Sequence, residues 1–351
     1  MDKIIREDVE AILEANRAGM DSLAGQGILI SGGAGFLGAY FCDLFSLWNE
    51  TSSNPCEIHC LDTFITGTPK RIAHLEGSKH FHKIKQSITQ PLPKGLDASY
   101  LMHFASIASP TFYRKYPIET IDSNVAGTRN LLEYAQERKI KSMIYLSTSE
   151  IYGDPPADKI PTSEDFRGFV SCTGPRACYD ESKRLGETLC SVFHKHKGVP
   201  VKTIRPFNVY GPGLRIDDKR VIPDLFTGAF YKKEIVMHSD GSPTRSFCYV
   251  SDATDAMLKV LLSPHNGEAF NIGNDLEEIS MLQLAQSVQS MFPDVKLTFQ
   301  KSEEKDYLTD NPQRRCPNLS KIKKLTGYSP KVMLKQGLLR LKKWYESDLG
   351  L

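Results

Sequence analysis

Ile28-Leu29-Ile30-Ser31-Gly32-Gly33-Ala34-Gly35-Phe36-Leu37-Gly38 is an apolar run that breaks into glycines and then enters an apolar, helix-like segment from Ala39 to Trp48. It reads as a strand, a phosphate-binding turn and a helix N-terminus. Glycines at 32, 35 and 38 give Gly-x-x-Gly-x-x-Gly. That spacing lets the turn take positive φ, lets backbone approach a pyrophosphate, and lets the helix lie close on the strand.

Working outward, a second apolar run, Glu57-Ile58-His59-Cys60-Leu61, ends in Asp62. An acidic side chain there accepts both hydroxyls of an adenosine ribose and repels a 2′-phosphate, so the pair of strands predicts NAD rather than NADP. Lys70 and Arg71, which could neutralise such a phosphate, follow the turn-like Thr66-Gly67-Thr68-Pro69 and are expected to be solvated. Further strands are expected at Phe81–Lys85, Tyr100–Ala105, Met143–Leu146 and Val201–Ile204, alternating with helices. One helix spans about Pro117 to Arg138 with Ile121, Val125, Leu131 and Leu132 on its buried face. Alternation of this kind implies an α/β fold, a Rossmann-type doubly wound parallel sheet.

Residues 2–24, with Ile4, Ile5, Val9, Ile12 and Leu13 at helical spacing, predict an amphipathic helix docked on the first lobe or serving an oligomer contact. Past residue 205 the alternation falters, and Asp240-Gly241-Ser242-Pro243-Thr244-Arg245 reads as a turn. The expected division is a dinucleotide-binding domain over 1–205, to which 247–273 return. A smaller substrate lobe takes 206–246 and 274–351, its last part mostly helical and basic.

With 351 residues, 40% apolar and 25% charged, the chain is long enough for one large or two modest cores. Lysine plus arginine total 44 against 42 acidic residues, a balance that argues against nucleic acid or an anionic membrane as partner. No apolar run approaches the ~18 residues of a spanning helix, and the polar start is unlike a signal peptide, so cytoplasmic residence is expected. Eight cysteines without paired Cys-x-x-Cys spacing read as reduced thiols. His80-x-His82 and His194-x-His196 have the wrong period for one helix face and no evident carboxylate cluster, so they read as surface histidines and no metal is expected.

Cys178-Tyr179-Asp180-Glu181-Ser182-Lys183 opens a helix in which Tyr179 and Lys183 share one face. A lysine ammonium beside a phenol favours phenolate, and the strand-end Thr148 can share a hydrogen bond with a substrate hydroxyl. With the glycine turn, these residues point to hydride transfer between a nicotinamide and a secondary alcohol.

The sequence here resembles the extended short-chain dehydrogenase/reductase family of nucleotide-sugar enzymes, from Ile28 to about Tyr345, and within it most of all the UDP-glucuronic acid decarboxylase subgroup. The likeness lies in His103-Phe104-Ala105-Ser106, Ala108-Ser109-Pro110, Ser147 to Pro155, Gly174-Pro175-Arg176-Ala177-Cys178-Tyr179-Asp180-Glu181, Thr244-Arg245-Ser246-Phe247 and Asn311-Pro312-Gln313-Arg314-Arg315. The resemblance implies a homodimer that retains NAD and takes a nucleotide sugar, a UDP-sugar above all. It makes Tyr179 the base and acid at the sugar C4 hydroxyl, Thr148 its partner, and Lys183 the group that tunes it and holds the nicotinamide ribose. Glu150 and Arg245 would act at C5 and the carboxylate, Arg315 would bind the diphosphate, and Ser109 and Asn208 would bind substrate. Gly32, Gly35, Phe36, Leu37, Gly38, Asp62, Ser87, Ala105 and Lys183 would hold the dinucleotide.

The chain departs from the pattern at Ser87, where relatives carry Asp, across Phe166 to Thr173, and at Lys219 to Asp224. The alternatives are a C4 epimerase, a 4,6-dehydratase, against which Ser149 before Glu150 argues, and a catalytically silent dinucleotide-binding protein.

Overall fold

The computed structural model describes residues 1–300 and 312–351. Helix α1 (Lys3–Met20) precedes β1 (Gly27–Ser31), α2 (Phe36–Asn49), β2 (Glu57–Asp62), α3 (Pro69–Ile72), β3 (Phe81–Lys85) and β4 (Tyr100–His103). Then come α4 (Pro110–Lys115), α5 (Pro117–Arg138), β5 (Ser142–Leu146), α6 (Ala177–Lys197), β6 (Val201–Pro206), β7 (Val209–Tyr210) and α7 (Val221–Thr227). The remainder runs β8 (Glu234–Met237), β9 (Thr244–Arg245), β10 (Cys248–Tyr249), α8 (Val250–Leu262), β11 (Ala269–Ile272) and β12 (Ile279–Ser280). It closes with α9 (Met281–Gln289), β13 (Lys296–Phe299), β14 (Arg314–Arg315), α10 (Ser320–Thr326) and α11 (Leu334–Leu349).

The central sheet has seven strands in the order β11-β6-β5-β4-β1-β2-β3, every pair parallel. Its chain order reverses between β1 and β4, which opens a crevice at the carboxyl ends of the strands where such sheets bind ligands. Both faces are buried, so the strands are apolar at consecutive positions. Ile28, Ile30 and Ile144 lie in the core under α2 and α8, while Leu29, Met143 and Tyr145 lie in the core under α5 and α6.

Helix α1 buries Ile5, Val9, Ile12 and Leu13 against α2 and α8. Its buried Asp8 accepts hydrogen bonds from Tyr249 Oη at 2.8 Å, Tyr40 Oη at 3.3 Å and Arg340 Nη2 at 2.8 Å. One carboxylate thus ties α1 to α2, β10 and α11. Burial pushes its pKa up to about 6, against the pull of Arg340.

Two sequence expectations fail here. Ile121 of α5 is exposed and Val125 only half-buried; the packed face is Thr120, Asn124, Gly127, Thr128, Leu131, Leu132 and Ala135. Close approach on two sides explains this: Asn124 Nδ2 donates to Ser182 Oγ of α6 at 2.9 Å, and a Cβ on Gly127 would lie 2.5 Å from Ile88 in the loop after β3. The segment from 274 is also less helical than expected. It supplies β12 and β14 to a three-stranded sheet around β9, and β13 to β8. Arg245 therefore lies on a short strand rather than in a turn. Among the described residues no helix is long and apolar enough to cross a membrane.

Candidate active site

The glycine turn is shaped by close approaches. Gly32 has φ +75° and a Cβ there would lie 2.6 Å from Ala105 N; on Gly38 it would lie 2.2 Å from Gly32 O. The side-chain-free cradle this leaves at the start of α2 fits a pyrophosphate. Asp62 is buried against the turn, accepting from Ala34 N at 3.0 Å and Phe64 N at 2.7 Å. Burial raises its pKa, and those backbone donors partly offset the effect. Ser87 sits one residue past Gln86, whose N–H donates to Asp62 O at 3.1 Å, and its Oγ is 2.8 Å from Thr89 Oγ1.

Arg71 is not solvated as expected. It is largely enclosed, donates to Asp43 Oδ2 at 2.6 Å and lies 5.4 Å over the Tyr40 ring. A cation committed to a buried carboxylate does not serve a 2′-phosphate, whereas Lys70 is exposed and pairs with Asp348 at 2.8 Å. The residues present therefore fit NAD.

At the end of β5, Thr148 caps a 3₁₀ turn, Ser149–Tyr152, its Oγ1 accepting from Glu150 N at 3.2 Å. From α6, Tyr179 reaches the same place and hydrogen-bonds the Thr148 side chain. Its ring stacks on Tyr113 of α4, centroids 5.1 Å apart and planes 7° from parallel. Lys183, one turn on, donates to Leu146 O at 2.5 Å with Nζ 5.9 Å from the Tyr179 ring. Burial pushes Tyr179 well above the ordinary tyrosine range against the Thr148 bond, and burial pulls Lys183 down to about 7, opposed by Glu187.

Glu150 lies two residues beyond Thr148. Its carboxylate is chelated by Arg315, with Nη2 2.8 Å from Oε2 and Nη1 on Oε1, and it also pairs with Arg176. In β9 and β14, Arg245 and Arg315 are register partners, so the small sheet delivers two guanidinium groups side by side. Burial works against the Glu150 charge, but Arg176, Arg315 and Arg245 outweigh it and hold the carboxyl at about 2. Arg245 donates to Pro312 O at 2.6 Å and Thr244 O at 2.8 Å; burial and then Arg315 pull it down to about 9. Asp180, 3.7 Å from Arg176, and Asp154, whose charge acts on Arg245, join Glu150 in balancing the three guanidinium groups beside Thr148 and Tyr179.

Arg315, expected at the diphosphate, clasps Glu150 in this structure. Ser109 Oγ donates to Asp218 O at 2.6 Å, and Asn208, at φ +40°, donates from Nδ2 to Ser246 O at 2.9 Å. Both border the crevice with side-chain donors committed to backbone. Asn311 of the last quoted motif lies outside the described residues.

Arg176, Tyr113 and Arg220 were not singled out. Arg176 carried a signal, being three residues ahead of Tyr179 in a quoted stretch. Arg220, paired with Asp218 and 5.9 Å over the Phe36 ring, falls in the departing stretch Lys219 to Asp224, and Tyr113 carried no signal. His80 and His82 share the carboxylate of Glu57 at 2.7 and 2.6 Å, a partner not evident from sequence. Among the described residues no three His, Cys, Asp or Glu side chains are grouped to hold a metal. The eight cysteines are unpaired thiols, six of them buried.

The family model of the NAD dependent epimerase/dehydratase family matches residues 28–273. Over 325 residues the chain is 36% identical to UDP-glucuronic acid decarboxylase 6 of Arabidopsis thaliana, covering 92% of this chain and 90% of that relative. UDP-glucuronic acid decarboxylase 1 of Danio rerio is 36% identical over 322 residues, 92% of this chain and 73% of the relative. Among solved structures, UDP-glucuronic acid 4-epimerase from Bacillus cereus, in complex with UDP-glucuronic acid and NAD, is similar with a TM-score of 0.77 and 28% identity. That similarity covers 92% of this chain and 99% of the other. With the glycine cradle, Asp62 and the Tyr179–Lys183 pair in place, the chain belongs to the NAD dependent epimerase/dehydratase family of enzymes.

Proposed function

We propose that this enzyme is a UDP-glucuronate decarboxylase that oxidises the sugar at C4, releases carbon dioxide and reduces the ketopentose to UDP-xylose. One observation carries the reading: Arg176, Arg245 and Arg315 crowd around Glu150 beside the Thr148–Tyr179 pair. Guanidinium groups gathered there recognise the planar carboxylate of a hexuronate, which they chelate through paired N–H donors.

NAD, held by Gly32, Gly35, Phe36, Leu37, Gly38, Asp62, Ser87, Ala105 and Lys183, supplies the hydride acceptor and donor. Tyr179, bonded to Thr148, takes the proton of the C4 hydroxyl, and Lys183 holds the ribose and favours the phenolate. The resulting β-keto acid loses its carboxyl group because the electrons pass into an enolate whose oxygen Tyr179 and Thr148 stabilise. Glu150, kept ionised, aligns the guanidinium groups, and Arg245, its proton loosened, is assigned to protonate C5. Asn208, Ser109 and Arg315 line the substrate path, within a sugar-binding lobe formed by residues 206–246 and 274–351.

A C4 epimerase of the same uronate is the second reading, favoured by the likeness to the Bacillus cereus enzyme. Incubation with UDP-glucuronate and mass identification of the product separates the two: a pentose supports decarboxylation, and an isomeric hexuronate overturns it. The proposal includes a homodimer, supported by exposed Ile118, Ile121, Leu185 and Val192 on the adjoining helices α5 and α6. Cytoplasmic residence is supported by the unpaired thiols.

A further inference from the structure

Arg205, at the end of β6, takes no part in the chemistry above, yet its side chain is only 11% exposed and fully engaged. Its Nε and Nη2 donate to the two oxygens of Glu187 at 2.9 and 2.6 Å. Its Nη1 donates to Tyr152 Oη at 2.9 Å and to Glu164 O at 2.8 Å, and the guanidinium carbon lies 5.2 Å over the Tyr152 ring. Tyr152 in turn donates to Asn271 Oδ1 at 2.7 Å, and Asn271, the register partner of Arg205 in β11, donates from Nδ2 to Thr162 O at 2.9 Å.

The two groups that Arg205 joins are informative. Tyr152 closes the 3₁₀ turn that Thr148 caps and that contains Glu150. Glu187 lies on α6 one turn beyond Lys183 and two beyond Tyr179, with its charge felt at Lys183. One planar, bidentate group therefore spans the two elements that carry the two halves of the proposed C4 chemistry. We propose that Arg205 is a positioning residue that fixes the Thr148–Glu150 turn against the Tyr179–Lys183 face of α6. The inference rests on the reading that those four residues together carry the proposed C4 chemistry. Proton and hydride transfer are steep in distance, and a misplacement of ~1 Å costs on the order of 10²-fold in rate.

The test compares the parent enzyme with Arg205→Met, Arg205→Lys and Tyr152→Phe, measuring NAD affinity, KM for UDP-glucuronate and the single-turnover rate of NADH formation. Arg205→Met should slow NADH formation ~10–100-fold with KM and NAD affinity within about threefold. Arg205→Lys should not recover the rate, because one ammonium cannot span Glu187 and Tyr152. Tyr152→Phe, which removes one hydroxyl and keeps the ring, should show a smaller loss of the same kind and decides the matter if Arg205→Met fails to fold. An unchanged rate, a full rescue by lysine, or NAD affinity and KM collapsing in step with the rate would each overturn the inference. A failure of the underlying reading looks different: the parent itself would form no NADH from UDP-glucuronate.

Discussion

At the residue scale, the proposed chemistry turns on one hydroxyl and one carboxylate. Tyr179→Phe should abolish C4 oxidation while leaving NAD affinity within a few fold, because the phenol supplies proton transfer and only part of the packing. NADH absorbance with UDP-glucuronate and a dinucleotide titration check both halves, and lost NAD binding would make the tyrosine structural. Glu150→Gln leaves three guanidinium groups around a neutral amide, and removing one partner of such a pair costs about 3 kcal/mol. The carboxyl is depressed to about 2 from an ordinary 4.5, so its stabilisation is present above pH 4.5 and is lost as pH falls through about 2. Urea unfolding should accordingly show the gap between parent and variant shrinking between pH 6 and pH 3; a constant gap would contradict the charge account. Tyr179 and Lys183 were legible because i and i+4 on a helix is local geometry. The convergence of Arg176, Arg245 and Arg315 on Glu150 was not, because it depends on strand register and on the placing of α6 against the β5 end, which no local pattern encodes.

At the element scale, β1, the glycine turn and α2 form the piece that sequence reads most securely, since strand period, glycine spacing and helix pattern agree within two dozen residues. The close approach of Gly38 to Gly32 O makes a demanding prediction. Gly38→Ala should cost ~1–3 kcal/mol by overpacking and weaken NAD binding at least ~10-fold, because the helix start must move away from the phosphate site. Gly35→Ala, whose Cβ would lie 3.2 Å from Gly32 O, should be milder in both thermal unfolding and NAD titration. Equal effects would show that the helix approach is not what the glycines secure. Element character was harder to read for α5 and for the segment beyond residue 274. In the first half of α5 the residues that pack, Thr120, Asn124, Gly127 and Thr128, are small or polar while Ile121 faces outward; the apolar stripe expected there holds only at Leu131 and Leu132. Short two-residue strands such as β9 and β14 have no periodicity to find.

At the scale of the whole molecule, a doubly wound parallel sheet was implied by alternation, and the Arg71 and Asp8 ties were not, because each joins groups distant in sequence. The exposed apolar residues of α5 and α6 predict that Ile121→Glu with Leu185→Glu converts a dimer to a monomer, read by light scattering after gel filtration; a monomeric parent would contradict the proposed assembly. The account as a whole describes a redox-neutral cycle in which one buried, arginine-rich site oxidises C4, expels the carboxyl group and restores the cofactor. Its most direct test is a single turnover of NAD-loaded protein with UDP-glucuronate carrying a labelled carboxyl carbon, followed by absorbance and by gas capture. The account predicts an NADH signal that rises and decays while labelled carbon dioxide and UDP-pentose appear in equal amounts, and in Arg245→Ala an NADH signal that persists. Label retained in a hexuronate product, with no gas released, would contradict it.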